Sequence, residues 1–306
     1  MGGFGSIDDL TLDEMAPSAC DYTFDSRLRD ASGHFIGVAR IDVGQEPELG
    51  LADRAYQLLN YALPDLLVRE DKDDSQIVLQ VPTGVDSDEW LDTALALWPV
   101  NRQPRHGITV TSSSFDRWLQ EVVSHPESPI EHYQFIAVAP LVSRSVKSGH
   151  PKGEAAACLW LQRTSIDEPE ALSSSLALPT RQEHTSRSLA SRRDAGALEN
   201  TVATSLGDDC DRADVGAIVW DGQVEGNYLD HLTTFLQNDF AHMYMDTDVW
   251  SLQGLCGSIS ADPSAYLTAM AFKLAKVRSQ HVLILDSHCD SETLALLLRH
   301  SDTTAT

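Results

Sequence analysis

Residues 261–278, ADPSAYLTAMAFKLAKVR, decide the architecture. Ala265, Tyr266, Leu267, Ala269, Met270, Ala271, Phe272, Leu274, Ala275 and Val277 put apolar side chains on nearly every face of one helix. A surface helix keeps a polar stripe toward water, whereas one that is apolar all round is covered on most sides. Covering it takes more than two layers of secondary structure. DVWSLQGLCGS (248–258) leads into this helix, and HVLILD (281–286) and TLALLLRH (293–300) follow as two strands around a short turn.

Upstream the same alternation recurs. LENTVATSL (198–206) predicts a helix, GAIVWDG (216–222) a strand, and Asn227 to Gln237 a helix with Tyr228, His231, Leu232 and Phe235 on one face. The first half begins with a strand in FIGVARIDV (35–43). LADRAYQLLNYALPDLL (51–67) is an amphipathic helix through Ala55, Leu58, Leu59 and Ala62, perturbed at Pro64. IVLQVP (77–82) reads as a buried strand, Asp86 to Trp98 as a helix with an acidic first turn, and GITVTS (107–112) as a strand. SSFDRWLQEVVSH (113–125) is a helix with Phe115, Trp118, Leu119, Val122 and Val123 as its stripe, Ser113 or Ser114 capping it. YQFIAVAPLV (133–142) and AAACLWLQR (155–163) are strands.

Strands alternating with helices imply parallel sheet. Two similar halves with buried helices predict an α/β chain, a five-layered α-β-α-β-α sandwich of two pseudo-repeated halves. The expected organisation is an irregular acidic segment (1–30), a first half (31–164), a Ser- and charge-rich linker or excursion (165–196), a second half (197–300) and a tail (301–306).

The chain has 306 residues, with 22 Lys+Arg against 46 Asp+Glu and a formal net charge of −24. So acidic a chain is repelled by nucleic acid and by anionic membrane surfaces, so neither is an expected partner. The basic run Arg187 to Arg193 has no interleaved aromatic residue and reads as solvated linker. No run of about 18 apolar residues is present. MGGFGSIDDLTLDEM (1–15) has neither the basic start nor the apolar core of a secretory signal. Cys20, Cys158, Cys210, Cys256 and Cys289 are odd in number and widely spaced, which fits a reduced, cytoplasmic chain.

Several segments resemble the condensing enzymes of the thiolase fold, the β-ketoacyl synthases. Gly153-Glu154-Ala155-Ala156 running into Cys158-Leu159-Trp160-Leu161 resembles the Gly-Glu-small-Ala turn before the last strand of the family's first half. Ser251-Leu252-Gln253-Gly254-Leu255-Cys256-Gly257-Ser258 resembles the Ser-x-Lys-x-x-x-Gly-His segment. Val282 to Ser287, a turn, and Leu294 to Leu298 resemble the closing hairpin, and Trp220-Asp221-Gly222 stands where the family has His-Gly-Thr-Gly-Thr.

That resemblance implies a cysteine thiolate at a helix N-terminus and two histidines that hold the thioester oxygen. Here the turn that would carry the thiol reads Val110-Thr111-Ser112-Ser113-Ser114, with Thr111 or Ser112 at the nucleophile position. Asp221 replaces the first histidine, Ser258 the second and Gln253 the lysine. No cysteine lies between Cys20 and Cys158. The expectation is a scaffold with a degenerate triad (Ser112, Asp221, Ser258) and no catalytic residue, cofactor or metal.

Other groupings read as ordinary structure. His288-Cys289-Asp290 is a surface turn whose side chains diverge. Asp208, Asp209, Asp211 and Asp214 lack the Gly and terminal Glu of a calcium loop, and Gly2, Gly3 and Gly5 lack the strand and Lys of a phosphate loop. His231 and His242 are too far apart for one helix face, and Trp90, Trp98, Trp118, Trp160, Trp220 and Trp250 fall on core elements.

The resemblance extends to short, catalytically empty thiolase-like proteins of type VI secretion loci. It implies an adaptor whose partner is a secretion effector or spike protein. Two alternatives stand beside it: an acyl-thioester enzyme with Ser112 as nucleophile, and a non-catalytic partner subunit of a condensing enzyme. Homodimer or heterodimer formation through the thiolase-type edge of the first half is also implied.

Overall fold

The computed structural model describes residues 23–29, 33–43, 50–67, 75–125, 127–141, 152–163, 174–176, 179–183, 195–222, 228–259, 261–287 and 292–300. The chain forms two compact units. One comprises Cys20–Glu168 with Cys256–Tyr266, the other Pro169–Leu255 with Leu267–Thr306, apart from short N-terminal stretches.

The first unit contains β1 (Thr23–Arg29), β2 (Phe35–Ala39), α1 (Leu51–Leu67), β3 (Ser75–Gln80), α2 (Ser87–Leu97), β4 (Ile108–Thr111), α3 (Phe115–Ser124), β5 (His132–Ala139), β6 (Lys152–Gly153) and β7 (Ala155–Gln162). Residues 1–30 are therefore not irregular throughout, because β1 pairs antiparallel with β2. β6 completes that three-stranded sheet. The main sheet has the order β4-β3-β5-β7, with β3 parallel to both neighbours and β7 antiparallel. Residues alternate between its faces. Ile77, Leu79, Ile136 and Val138 pack with Ala55, Leu58, Leu59 and Leu63 of α1 and Trp90, Ala94 and Trp98 of α2. Tyr133 and Phe135 turn the other way, onto Phe115 and Trp118 of α3.

Local signals fix these elements. Asp86 caps α2, accepting the Asp88 and Glu89 backbone N–H groups. α1 runs through Pro64 to Leu67, so the proline does not end it. Ser114 holds the N-cap position of α3 without a side-chain capping bond, and the Ser113 hydroxyl instead donates to Glu121, so the expected cap is absent.

The second unit contains β8 (Ser174–Leu176), β9 (Thr180–Glu183), α4 (Ala195–Leu206), β10 (Val215–Trp220), α5 (Tyr228–Asp239), β11 (Val249–Ser251), α6 (Leu252–Cys256), α7 (Ser264–Arg278), β12 (His281–Asp286) and β13 (Glu292–His300), except that Cys256 of α6 and the first residues of α7 belong to the first unit. Its sheet runs β11-β10-β12-β13, again two parallel pairs and one antiparallel pair. The two units thus repeat one plan. β8 and β9 both pair with β13, so part of the stretch expected as linker is sheet. α7 is buried almost all round over its first three turns and emerges only at Lys276 and Val277.

One ion pair organises the first unit. The Glu154 carboxylate, fully buried, accepts from Arg54 Nε (2.9 Å) and Nη2 (2.7 Å), Arg40 Nη1 (3.0 Å) and the N–H groups of Ile41 and Leu141 (both 3.2 Å). Glu154 N–H donates to Ala39 O (3.0 Å). These bonds tie the end of β2, helix α1, the end of β5 and the β6–β7 turn to one side chain.

Removing Arg54 takes two donors and one of two cations from the buried carboxylate and leaves Arg40 paired with it, at a cost of about 3–5 kcal/mol. Arg54→Met is expected to lower the stability read from urea unfolding by that amount, with an unchanged denaturant slope. Combining it with Glu154→Leu is expected to cost much less than the sum of the single changes.

Candidate functional site

In open α/β sheets, functional groups gather at the carboxyl ends of the parallel strands. In the second unit those ends bring together Asp221 and Gly222 after β10, Ser251 and Gln253 at β11 and α6, and Ser287 after β12. Asp221 is buried, yet its carboxylate is well supplied with donors. Ser287 N–H donates to Oδ2 (3.2 Å), and the Ser287 hydroxyl lies 2.9 Å from both oxygens. Gln253 N–H donates to Asp221 O (3.2 Å), and Gly254 N–H to Ser251 Oγ (3.1 Å). Gly222 has φ +86°, and a Cβ on it would overlap Ser251 Oγ and come within 2.5 Å of Gln253 Cβ. The cluster is close-packed and preorganised around a fixed anion. The Ser287 donors go to the Asp221 carboxylate, and the Gln253 and Gly254 N–H groups to Asp221 O and Ser251 Oγ.

In the first unit the β4–α3 turn is also held by its own side chains. Ser113 N–H donates to Thr111 Oγ1 (3.1 Å), Gln80 Nε2 to Ser113 O (3.4 Å), and Val81 N–H to Thr111 O (2.8 Å). Thr111 is thereby committed to the turn. Ser112 is exposed, and no described group hydrogen-bonds its hydroxyl. A serine is activated by an adjacent base, and none is hydrogen-bonded here.

Ser258, in the same unit, accepts from Lys152 Nζ (3.3 Å), and its carbonyl accepts Gly153 N–H (3.1 Å). A Cβ on Gly153 would collide with Cys256 O, and Gly257 has φ +78° with Lys152 C 2.8 Å from its would-be Cβ. Two glycines therefore allow the backbones of β6 and 256–258 to touch. Both glycines stand in segments that carry the resemblance, but no local pattern in either segment shows this contact.

Tyr266 was read only as core. Its hydroxyl is buried with no hydrogen-bond partner among the described residues. Burial first, then the neighbouring Cys256 and Asp262, hold its phenol well above the usual tyrosine range. The phenol stays a proton donor at every physiological pH.

The remaining groupings resolve simply. Asp211 and Asp214 form a capping box on a 3₁₀ turn. Trp90, Trp98, Trp118, Trp220 and Trp250 are buried, while Trp160 is half-buried. Among the described residues no three His, Cys, Asp or Glu side chains are arranged to hold a metal ion. No described helix is long and apolar enough to cross a membrane. Gln134 Nε2 lies 3.2 Å from Cys158 Sγ, and burial, then Asp214, pushes the Cys210 thiol up. Cys20, Gly2, Gly3, Gly5, Arg187 to Arg193 and His288-Cys289-Asp290 lie outside the described residues.

No protein-family model matches the sequence, and no curated protein matches it. Solved structures do. The chain is similar to the ishigamide ketosynthase/chain length factor, with 14% identity, 94% of each chain covered and a TM-score of 0.64. It is similar to a single-residue variant of Xanthomonas campestris OleA with cerulenin, with 13% identity, 86% of this chain and 82% of that one covered, and a TM-score of 0.57. A third similar chain, the acyltransferase ChlB3, gives 12% identity, 87% and 86% coverage and a TM-score of 0.54. The α/β fold is thiolase-like.

Two variants test this geometry. Ser287→Ala takes the hydroxyl donor from a buried carboxylate and is expected to cost about 1.5–3 kcal/mol in urea unfolding. An unfolded tyrosine ionises near pH 10 while folded Tyr266 does not. Above about pH 10 the unfolded chain therefore binds fewer protons, and stability falls as pH rises. Tyr266→Phe is expected to preserve neutral-pH stability and to make that alkaline loss shallower.

Proposed function

We propose, proceeding from the thiolase-like fold, that this chain is a non-catalytic binding protein, an adaptor in the loading of a type VI secretion effector. The observation that carries the non-catalytic part is Asp221. Its carboxylate is fixed by Ser287; at the position of the first family histidine, where the sequence resemblance puts it, a carboxylate repels a developing oxyanion that an imidazole would stabilise. The Ser112 hydroxyl, exposed and without a hydrogen-bonded base, is a poor nucleophile in place of a thiolate. The secretion role follows from the resemblance of the sequence to catalytically empty thiolase-like proteins of secretion loci.

A second reading has one observation in its favour. The likeness to the ishigamide ketosynthase/chain length factor extends over 94% of both chains. It supports a partner subunit that pairs with an active condensing enzyme. β4 is an edge strand of its sheet, the place where a thiolase-type dimer forms.

Acyl-CoA with a labelled acyl group, and cerulenin, are expected to leave no covalent adduct on the β4–α3 turn by peptide mass spectrometry. A stoichiometric adduct on Ser112 would overturn the non-catalytic reading in favour of the acyl-thioester enzyme. Tagged chain is expected to retain a secretion effector or spike protein from its own host. Retention of a cysteine-bearing condensing enzyme in its place would establish the second reading.

A further inference from the structure

The opposite end of the second unit carries a feature the proposed function does not use. Three connections meet at the amino ends of its parallel strands: 207–214 before β10, 240–248 before β11, and the end of α7 before β12. They are fastened together. Arg278 Nη1 donates to Gly216 O (3.0 Å) and Asp248 Oδ1 (2.8 Å), and its Nη2 donates to Thr247 O. Arg212 Nε pairs with Asp239 (3.1 Å), and the His242 ring lies 3.2 Å from Val215 O. Tyr244 and Asp248 close the tip: Tyr244 N–H donates to Asp248 Oδ2 and Asp248 N–H to Tyr244 O, both 2.8 Å.

This bracing fixes a loop whose apolar side chains face water. Tyr244 is 71% exposed, Met245 43% and Val277 48%. Asp208 and Asp209, in the connection before β10, and Asp246, in the connection before β11, are exposed at the same end of the unit. Arg212 pairs with Asp239 and Arg278 with Asp248, Arg299 donates to Leu206 O, and Lys276 is exposed beside Val277. Against these cations stand Asp208, Asp209, Asp211, Asp214, Asp239, Asp246 and Asp248, so the net charge at this end is negative.

We infer that Tyr244, Met245 and Val277, with Asp208, Asp209 and Asp246 at the same end of the unit, form a face that docks a basic amphipathic segment of a protein partner. The aromatic and methionine side chains supply adaptable apolar contact. The carboxylates select a cationic rim and repel a second copy of this chain, which carries −24 itself. An anionic segment or membrane is rejected for the same reason. This deepens the binding role proposed above, rests on that reading, and names a surface and partner chemistry for it.

The test uses full-length protein and a fluorescent Leu/Lys peptide whose leucines fall on one helical face. Its control is a peptide of the same composition with the leucines scattered. A general attraction of lysine to an acidic protein binds both equally. The docking face is expected to bind the patterned peptide about tenfold more tightly, and to slow amide exchange in 240–248. Tyr244→Lys with Met245→Lys is expected to abolish that preference. Asp208→Asn with Asp209→Asn, on an exposed loop, is expected to flatten the salt dependence of binding, and serves should the first variant misfold.

Equal affinity for the two peptides, or a preference that survives Tyr244→Lys with Met245→Lys, would overturn the inference. Sedimentation showing a dimer that this variant dissolves would assign the face to a second copy and overturn it equally. None of these outcomes touches the acyl-adduct assay, so this face and the non-catalytic reading fail separately.

Discussion

The first unit depends on the buried pair of Arg54 and Glu154. A carboxylate in an apolar interior is tolerated only when its lone pairs are met and its charge is balanced. Glu154 meets both conditions with donors from Arg40, Ile41, Arg54 and Leu141, reaching across more than a hundred residues. Arg54 is held in turn by Gln57 Oε1 and Ile41 O, each 2.8 Å away. Because each donor satisfies the same two oxygens, a shift in one of these segments is felt by all of them. The β6–β7 turn is set from here, and through Gly153 so is the segment at Cys256 and Ser258.

A comparable economy governs the second unit. At the carboxyl ends of its strands, the Ser287 hydroxyl and the Asp221 carboxylate hold each other in a close-packed cluster. At the amino ends, two arginines consume the local carboxylates Asp239 and Asp248 and leave a rigid loop tip with apolar side chains in water. For Asp248, burial raises the carboxyl, but the Tyr244 N–H and then Arg278 outweigh it and hold it below the ordinary range, so the brace stays charged at neutral pH.

Much of this was legible in the residue order. Periodicity located α1, α2, α3, α4, α5 and α7, and runs of β-branched and aliphatic residues located β3, β5, β10, β12 and β13. The two-fold repetition of the plan was visible because each half writes out the same order of elements. The weak points were short or late-pairing strands. β1, β8 and β9 carry no strong alternation of their own and exist as strands because β2 and β13 offer them an edge. Val277 looked like one more core position of an apolar helix, but α7 outruns its cover before its last turn ends.

The sequence by itself determined the elements, their order and the lack of any cysteine between Cys20 and Cys158, the stretch that holds the β4–α3 turn. Such properties are local: they follow from which side chains stand within a few residues of one another. Only the tertiary structure decided that Arg54 would neutralise Glu154, that Ser287 would occupy Asp221, and that three separate loops would converge on Arg278 and Val215. Those pairings join residues tens to a hundred positions apart. Their partners are chosen by sheet register and by the cost of burying an unmet charge, neither of which is written in any short stretch of the chain.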